Sequence, residues 1–336
     1  MKNQYISFSR GYAILTIILF HYLKDLPLAP GLIKVVNLGG GGVHLFIFAS
    51  GFGLALSRYE GTKKFFTKRL KKVYVPYALT VMLIFLINIF IPVYPNDGWL
   101  ALISHIFLFK MFYENLEVSF GPHFWFLSTI IQFYLFFPLI RLLVGYLNPR
   151  SAFFASLTLS LTYSLAIVFL EFEDIRIYNS FFLQYLWEFV LGMIVAKSNI
   201  LDRLLHFRTI FYGIFACVSY LIMWLMVKYL GDIGKNLNDI FSFTGYVCLS
   251  IIMYKLSESF EIVKRGFLSI ELFSYPLFLV HYLTYDLAKI ILFKDNMPVA
   301  VVPLILILTL LVAFFYGKLL GMVPKHVLKK PMPVKN

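Results

Sequence analysis

The sequence predicts an all-α, polytopic membrane protein: a bundle of about ten transmembrane helices with one short re-entrant or interfacial helix. Three observations carry that reading. Of the 336 residues 60% are hydrophobic, only 14% are charged and the mean hydropathy is +0.81, whereas an ordinary soluble domain has about 25% charged residues. The apolar residues gather into runs of roughly 18 to 25, the length a helix needs to cross about 30 Å of hydrocarbon. The cations collect between those runs. A net charge of +13 would suggest nucleic acid in a soluble chain, but here the placement of charge around the spans matters more, and no nucleic-acid partner is expected.

The first span, 7–26, carries two groups that lipid does not tolerate idly, Arg10 and His21. They are eleven residues apart, which on a helix returns to within about 20° of the same direction and rises about 16 Å. One polar face thus reaches across much of a bilayer, and ionisable residues so placed mark a pathway or a site. The second span, 38–57, opens on Gly39 to Gly42. Each glycine disfavours helix by about 1 kcal/mol relative to alanine, so the entrance is expected to be loose and open to close approach of a backbone or ligand. The alternative is close helix packing, in keeping with Ala49, Ser50, Gly51 and Gly53. His44 reads as a structural histidine bonded to a carbonyl. For Ser50 two roles are open, donation into an oxyanion site or a bond to its own helix backbone.

The cation run from Arg58 to Lys72 fits either anionic lipid head groups, at about 1 kcal/mol per cation, or a phosphate site beside an intramembrane cavity. Further spans fall at 74–94, 122–141, 151–170, 180–197, 209–230, 238–255, 267–291 and 299–320. The apolar run Trp99 to Tyr113 is too short to cross and is interrupted by His105 and Lys110. Glu188, in the middle of the sixth span, needs a partner or a proton; it either orients an imidazole or pairs with a cation. His281 lies near the middle of the ninth span, equally suited to a site or to packing. Cys217 and Cys248 sit in apolar runs and read as small buried hydrophobes rather than a disulfide or a metal site. No cleavable signal is read at the start, and residues 1–336 are expected to form a single transmembrane domain without an extra soluble one.

Placing both termini in the cytoplasm, with the short run not crossing, puts 22 of the 30 Lys and Arg residues inside, as the positive-inside rule requires. The inner set includes Lys2, Arg10, the run from Arg58 to Lys72, Arg141, Arg150, Lys318 and the tail lysines Lys325, Lys329, Lys330 and Lys335. If 99–113 crossed, the cations from Arg141 onward would move outside.

Several stretches taken together resemble one family. Arg10, ten intervening residues and His21 come first, then GVHLFIFASGF from Gly42 and FFTKRLKKVYVPY from Phe65; HFWFLSTIIQFYLFFPLI from His123, WEFVLGMIVA from Trp187 and FSYPLFLVH from Phe273 follow. In this order they resemble the acyltransferase-3 family of integral membrane acyltransferases, over essentially the whole chain. Two departures stand out: many members have an acid where this chain has His44, and another where it has Thr129 and Ile130.

The resemblance implies a ten-helix transferase in the plasma or inner membrane. Such an enzyme takes an acyl group, usually acetyl, from cytoplasmic acyl-CoA and places it on a hydroxyl of an extracytoplasmic acceptor, a cell-surface saccharide or lipid-linked glycan. Acetyl-CoA is a donor substrate, and no permanently bound cofactor or metal is implied; the partners are acyl-CoA, the glycan and membrane lipids. His21 would act as general base or transient acyl carrier and Arg10 beside it in catalysis and donor binding, with Lys68, Arg69 and Lys72 on the donor phosphates. Glu188, Ser50, His44, His281 and Trp125 are supporting candidates. The rival reading is a transporter or flippase relaying protons through the same residues, but the spans show no inverted repeat.

Overall fold

A computed structural model describes residues 4–293 and 297–323; Lys2, Lys325, Lys329, Lys330 and Lys335 of the charge tally lie outside the described residues. The chain forms helices α1 (Gln4–Leu23), α2 (Pro30–Leu38), α3 (Gly42–Leu56), α4 (Thr62–Arg69), α5 (Val75–Phe90), α6 (Trp99–Ile106), α7 (Trp125–Tyr146) and α8 (Pro149–Phe169). They are followed by α9 (Leu186–Ala196), α10 (Ile200–His206), α11 (Thr209–Asn236), α12 (Asp239–Ser257), α13 (Glu261–Glu271), α14 (Ser274–Phe293) and α15 (Val302–Leu319), with no strand among the described residues. Nine helical stretches among the described residues are long and apolar enough to span a membrane. The run Trp99 to Tyr113 yields only α6, eight residues long, and short turns, so it does not cross.

Three of the expected spans differ in a way that matters for the site. The sixth is not a full-length helix: α9 has 11 residues, about 16 Å, and Glu188 sits in its first turn rather than mid-span. Residues 180–185 before it are irregular because neighbouring side chains bond their backbone. Thr129 Oγ1 donates to the Ser180 carbonyl at 2.6 Å, Ser160 Oγ to the Leu183 carbonyl at 2.7 Å, and Gln132 Oε1 accepts from the Phe182 N–H at 3.2 Å. Non-helical backbone at membrane depth needs such internal partners. The ninth span is broken at Leu272–Phe273 into the amphipathic α13 and the buried α14. Between α4 and α5 the helix widens into a π turn, Leu70–Tyr74, a feature frequent at functional sites.

The glycine run is not loose. Gly39–Gly41 form a tight 3-10 turn that makes Pro30–Leu56 one continuous helical stretch. Packing drives it: a Cβ on Gly39 would lie 2.5 Å from the Thr16 carbonyl oxygen, and one on Gly42 3.0 Å from the Ile17 side chain. The same device joins α3 to α9, where a Cβ on Gly51 would sit 2.0 Å from the Phe189 carbonyl oxygen and one on Gly192 2.1 Å from that of Phe48. Without a hydrophobic drive between helices in lipid, such backbone proximity is a main source of association. Helices α1 and α3 hold the centre: α1 contributes to the apolar clusters on both of its sides and α3 locks α9. Cys248 is buried as expected, whereas Cys217 lies exposed on α11, on a helix whose outer face is apolar.

Outside the spans, Lys110 is fully buried, its ammonium 3.5 Å from the Ser119 carbonyl and 5.8 Å from the Phe124 ring centre. Burial pushes its pKa down to about 7, against the opposing pull of the Asp97 and Glu117 carboxylates. Two predictions follow from this packing. Gly51→Ala should destabilise the purified protein by about 1–3 kcal/mol, read as a lower thermal midpoint, while Gly53→Ala, whose added methyl meets nothing within 4 Å, should not; equal midpoints would refute the contact's importance. The folded pKa of Lys110 lies below the value of about 10.4 in an unfolded chain. The unfolded state therefore binds more protons in between, and stability rises with pH across that window. Lys110→Met should exceed the wild type in thermal midpoint most clearly at or below pH 7, the gap closing as pH approaches about 10.

Candidate active site

A cavity of about 490 Å³ opens within the bundle. Its cationic side chains and His21 line it at two places. One is a cationic rim, Arg69, Lys71 and Lys72, where the π turn leaves α4 for α5; the other is the polar face of α1, where Arg10 and His21 both line the space. The helical spacing of the two residues thus becomes one wall of one cavity. Lys68 is exposed and does not line the cavity, while Lys71, not singled out from sequence, does. The Arg69 guanidinium lies 5.4 Å from the ring centres of both Phe65 and Tyr134, and its Nε, buried, has no partner. Arg10 is not left to a ligand alone: its Nη1 donates to Glu271 Oε1 at 2.7 Å, a carboxylate at the end of α13. That pairing fixes the guanidinium at the cavity wall while its side chain stays about one-third exposed (34%).

His21 meets α14. Its Nδ1 is 2.9 Å from the Tyr282 hydroxyl, and Nε2 makes no hydrogen bond among the described residues. His281 stands behind it, ring centres 5.5 Å apart, fully buried, its Nδ1–H donating to the Phe278 carbonyl at 2.7 Å and its Nε2 unpartnered. His281 does not line the cavity; it backs the ring that does. A third imidazole completes the group. His123 lines the cavity at 2% exposure, stacked on Tyr282 at 4.9 Å and 8° and packed 4.7 Å from His281. The turn before it is tight: Phe120 takes φ +52 and Gly121 φ +115, the Phe120 N–H donating to Asp97 Oδ2 at 2.6 Å. Sequence reasoning named Trp125 from this segment and passed over His123 and Tyr282; the available signal was an imidazole at the apolar start of a span, two residues before the tryptophan. No group of three or more His, Cys, Asp or Glu side chains among the described residues is arranged to hold a metal ion.

The supporting candidates divide. Ser50 lines the cavity, but its hydroxyl donates to the Phe46 carbonyl at 2.8 Å, the backbone role. Trp125 lines it too, with the Arg176 guanidinium 4.0 Å over its ring. His44 is bonded to a carboxylate rather than to a carbonyl: its Nδ1 is 2.8 Å from Glu188 Oε1, and its Nε2 3.9 Å from Asp239 Oδ1. Glu188 therefore orients an imidazole, that of His44, across the α3–α9 contact. Its other oxygen is buried without a partner. Where many members of the resembled family carry an acid, this chain has the imidazole of a pair whose acid comes from α9.

The family model described as an acyltransferase domain matches residues 3–318. Over 139 residues the chain is 34% identical to the protein named "Putative acetyltransferase ORF330" of Acidianus two-tailed virus. That match takes in 39% of this chain and 39% of the relative, so the chain spans about two fifths of the length of the relative it matches. No solved structure matches the chain.

The His44–Glu188 contact yields a prediction about chemistry rather than size. Glu188→Gln keeps an oxygen that accepts from the imidazole, whereas Glu188→Ala strips a buried polar group of its partner, a loss of about 3–5 kcal/mol for a broken buried pair. The thermal midpoint should fall far more for Ala than for Gln; an equal fall would mean that the carboxylate charge, and not the hydrogen bond, holds α3 to α9.

Proposed function

The chain belongs to the acyltransferase-3 family of membrane acyltransferases, and from that premise we propose that it moves an acyl group, acetyl in the first instance, from cytoplasmic acyl-CoA to a hydroxyl of an extracytoplasmic glycan or membrane-linked saccharide. The observation that carries this reading is the single cavity in which a cationic rim at one place and an imidazole at another face the same space. The pantetheine arm of CoA is a thread of order 15 to 20 Å, comparable with the rise of about 16 Å from Arg10 to His21. Phosphates resting on Arg69, Lys71 and Lys72, with Arg10 held beside them by Glu271, would leave the thioester near His21. Charge-assisted bonds of this kind suit polyanions. On this reading residues 180–185 and α9 together make a tenth crossing, both termini are cytoplasmic and the protein sits in the plasma or inner membrane.

His21 is assigned as general base. With Nδ1–H donating to Tyr282 Oη, the lone pair is on Nε2, the open nitrogen. Nε2 takes the proton of the acceptor hydroxyl as its oxygen attacks the thioester carbonyl carbon. The resulting tetrahedral adduct collapses by breaking the C–S bond, and the departing thiolate recovers the proton from Nε2, leaving an ester and CoA. Tyr282 is a positioning residue, since its hydroxyl holds the ring through Nδ1 without touching the reacting atoms.

Purified protein supplied with labelled acetyl-CoA and a glycan-bearing membrane fraction tests the reading. Wild type should transfer label to a saccharide. His21→Ala should remain folded and bind CoA yet lose about 10² to 10⁴ in rate, about 3–5 kcal/mol at 1.4 per decade. Arg69→Gln or Lys72→Gln should instead raise the KM for acetyl-CoA and leave kcat close to wild type. Near-normal transfer by His21→Ala would end its assignment, and no change in KM on neutralising the rim would return those cations to lipid head groups.

A further inference from the structure

Resting on that reading of the cavity, we propose that His123 is a catalytic residue, its ring N–H donating to the thioester carbonyl oxygen of the bound donor and to the oxyanion that forms there. Both ring nitrogens of His123 are buried and neither has a partner, although the residue lines the cavity. Buried polar atoms without partners are rare in native structures. An imidazole carries at least one N–H in either protonation state, so this ring, part of the cavity wall, holds an uncommitted donor.

The neighbouring donors are engaged. Ser50 donates to the Phe46 carbonyl, Ser274 to that of Glu271 at 2.9 Å and Tyr275 to that of Val73 at 2.7 Å. The Tyr282 hydroxyl, which accepts from His21 Nδ1–H, does not line the cavity, and Arg10 is bonded to Glu271. Arg69, Lys71 and Lys72 belong to the rim, and Tyr134 lies there too, under the Arg69 guanidinium and bonded to it. Among cavity-lining groups near His21, that leaves the His123 ring and the indole N–H of Trp125.

Geometry favours His123. Its ring is stacked on the same Tyr282 that holds His21, so one phenol spaces the two imidazoles, and Gly121 tightens the arrangement: a Cβ there would come within 2.8 Å of His123 Nδ1. Packing against Phe124, at 4.0 Å, and Phe278, at 5.2 Å, holds the ring without using its nitrogens. A donor fixed by packing, and needing no reorganisation when charge develops, is what oxyanion stabilisation requires. In the step written above, the carbonyl π pair moves onto oxygen as the acceptor oxygen bonds to carbon; the His123 N–H meets that oxygen, and the pair returns as the C–S bond breaks. No proton leaves His123.

The test reads the carbonyl directly. Acetyl-CoA labelled with ¹³C at the thioester carbonyl is bound to purified protein carrying His21→Ala, which keeps the thioester intact, and its infrared stretch is compared with that in solution. A shift to lower frequency is expected, to be lost in His21→Ala with His123→Phe and largely kept with His123→Gln, which retains an N–H. CoA affinity should stay within about threefold across the three. In an otherwise wild-type chain, His123→Phe should lower acetyl-CoA turnover about 10²-fold, the usual effect of removing one such donor, and His123→Gln by less. A shift that survives His123→Phe but disappears with Trp125→Phe overturns the proposal in favour of the indole. A parent protein that binds acetyl-CoA without any shift overturns it outright. Failure of the parent to bind acetyl-CoA at all would instead bring down the acyl-CoA reading, and this proposal with it, so the two failures are told apart.

Discussion

Every polar group carried inside this bundle must find its partner there, because lipid offers none. That constraint organises the chain. Thr129, Gln132 and Ser160 exist in relation to the irregular backbone of residues 180–185, which they bond. Only with that backbone satisfied can α9 be short, enter late and press its glycine against α3. The polar atoms that remain uncommitted are correspondingly informative. Of the eleven such buried atoms among the described residues, four, Arg69 Nε, both nitrogens of His123 and Nε2 of His281, belong to the cavity or stand directly behind it.

The two central helices divide the labour. α3 is built for proximity: Gly42, Gly51 and the turn before them bring it against α1 and α9, and the contact brings His44 to Glu188. α1 is built for asymmetry. Its apolar residues serve clusters on two sides, while Arg10 and His21 keep one face polar and turned to the cavity. Each of those two residues is steadied by the C-terminal part of the chain, Arg10 by Glu271 and His21 by Tyr282. Residues some 260 positions apart, 261 in both pairs, thus set the two ends of the site.

Long apolar runs need no tertiary context to be recognised, since crossing about 30 Å of hydrocarbon is a local requirement of length and composition. The all-α class and most of the spans were therefore legible, as was the shared face of Arg10 and His21, which is a matter of helical period alone. The family was legible through motifs spread along the whole chain. Hydropathy could not show that α9 is short, because irregular backbone bonded by neighbouring side chains and regular helix are equally apolar. Nor could it show the break between α13 and α14, where the pattern changes face without changing character.

What the sequence alone determined about this protein is its medium, its helical class, its family and the polar stripe of α1. Only the tertiary structure decided which residues answer that stripe. Glu271, Tyr282, Lys71 and His123 carry no periodic or spacing signal that ties them to Arg10 or His21; they are brought there by backbone contacts at glycines and by the closing of α13 and α14 against α1. The same holds for His44, whose partner is a carboxylate on a different helix rather than the carbonyl its own neighbourhood suggested. Partner choice in a bundle depends on distances between helices, and those are fixed by packing of the whole chain, whereas period and hydropathy report only on one helix at a time.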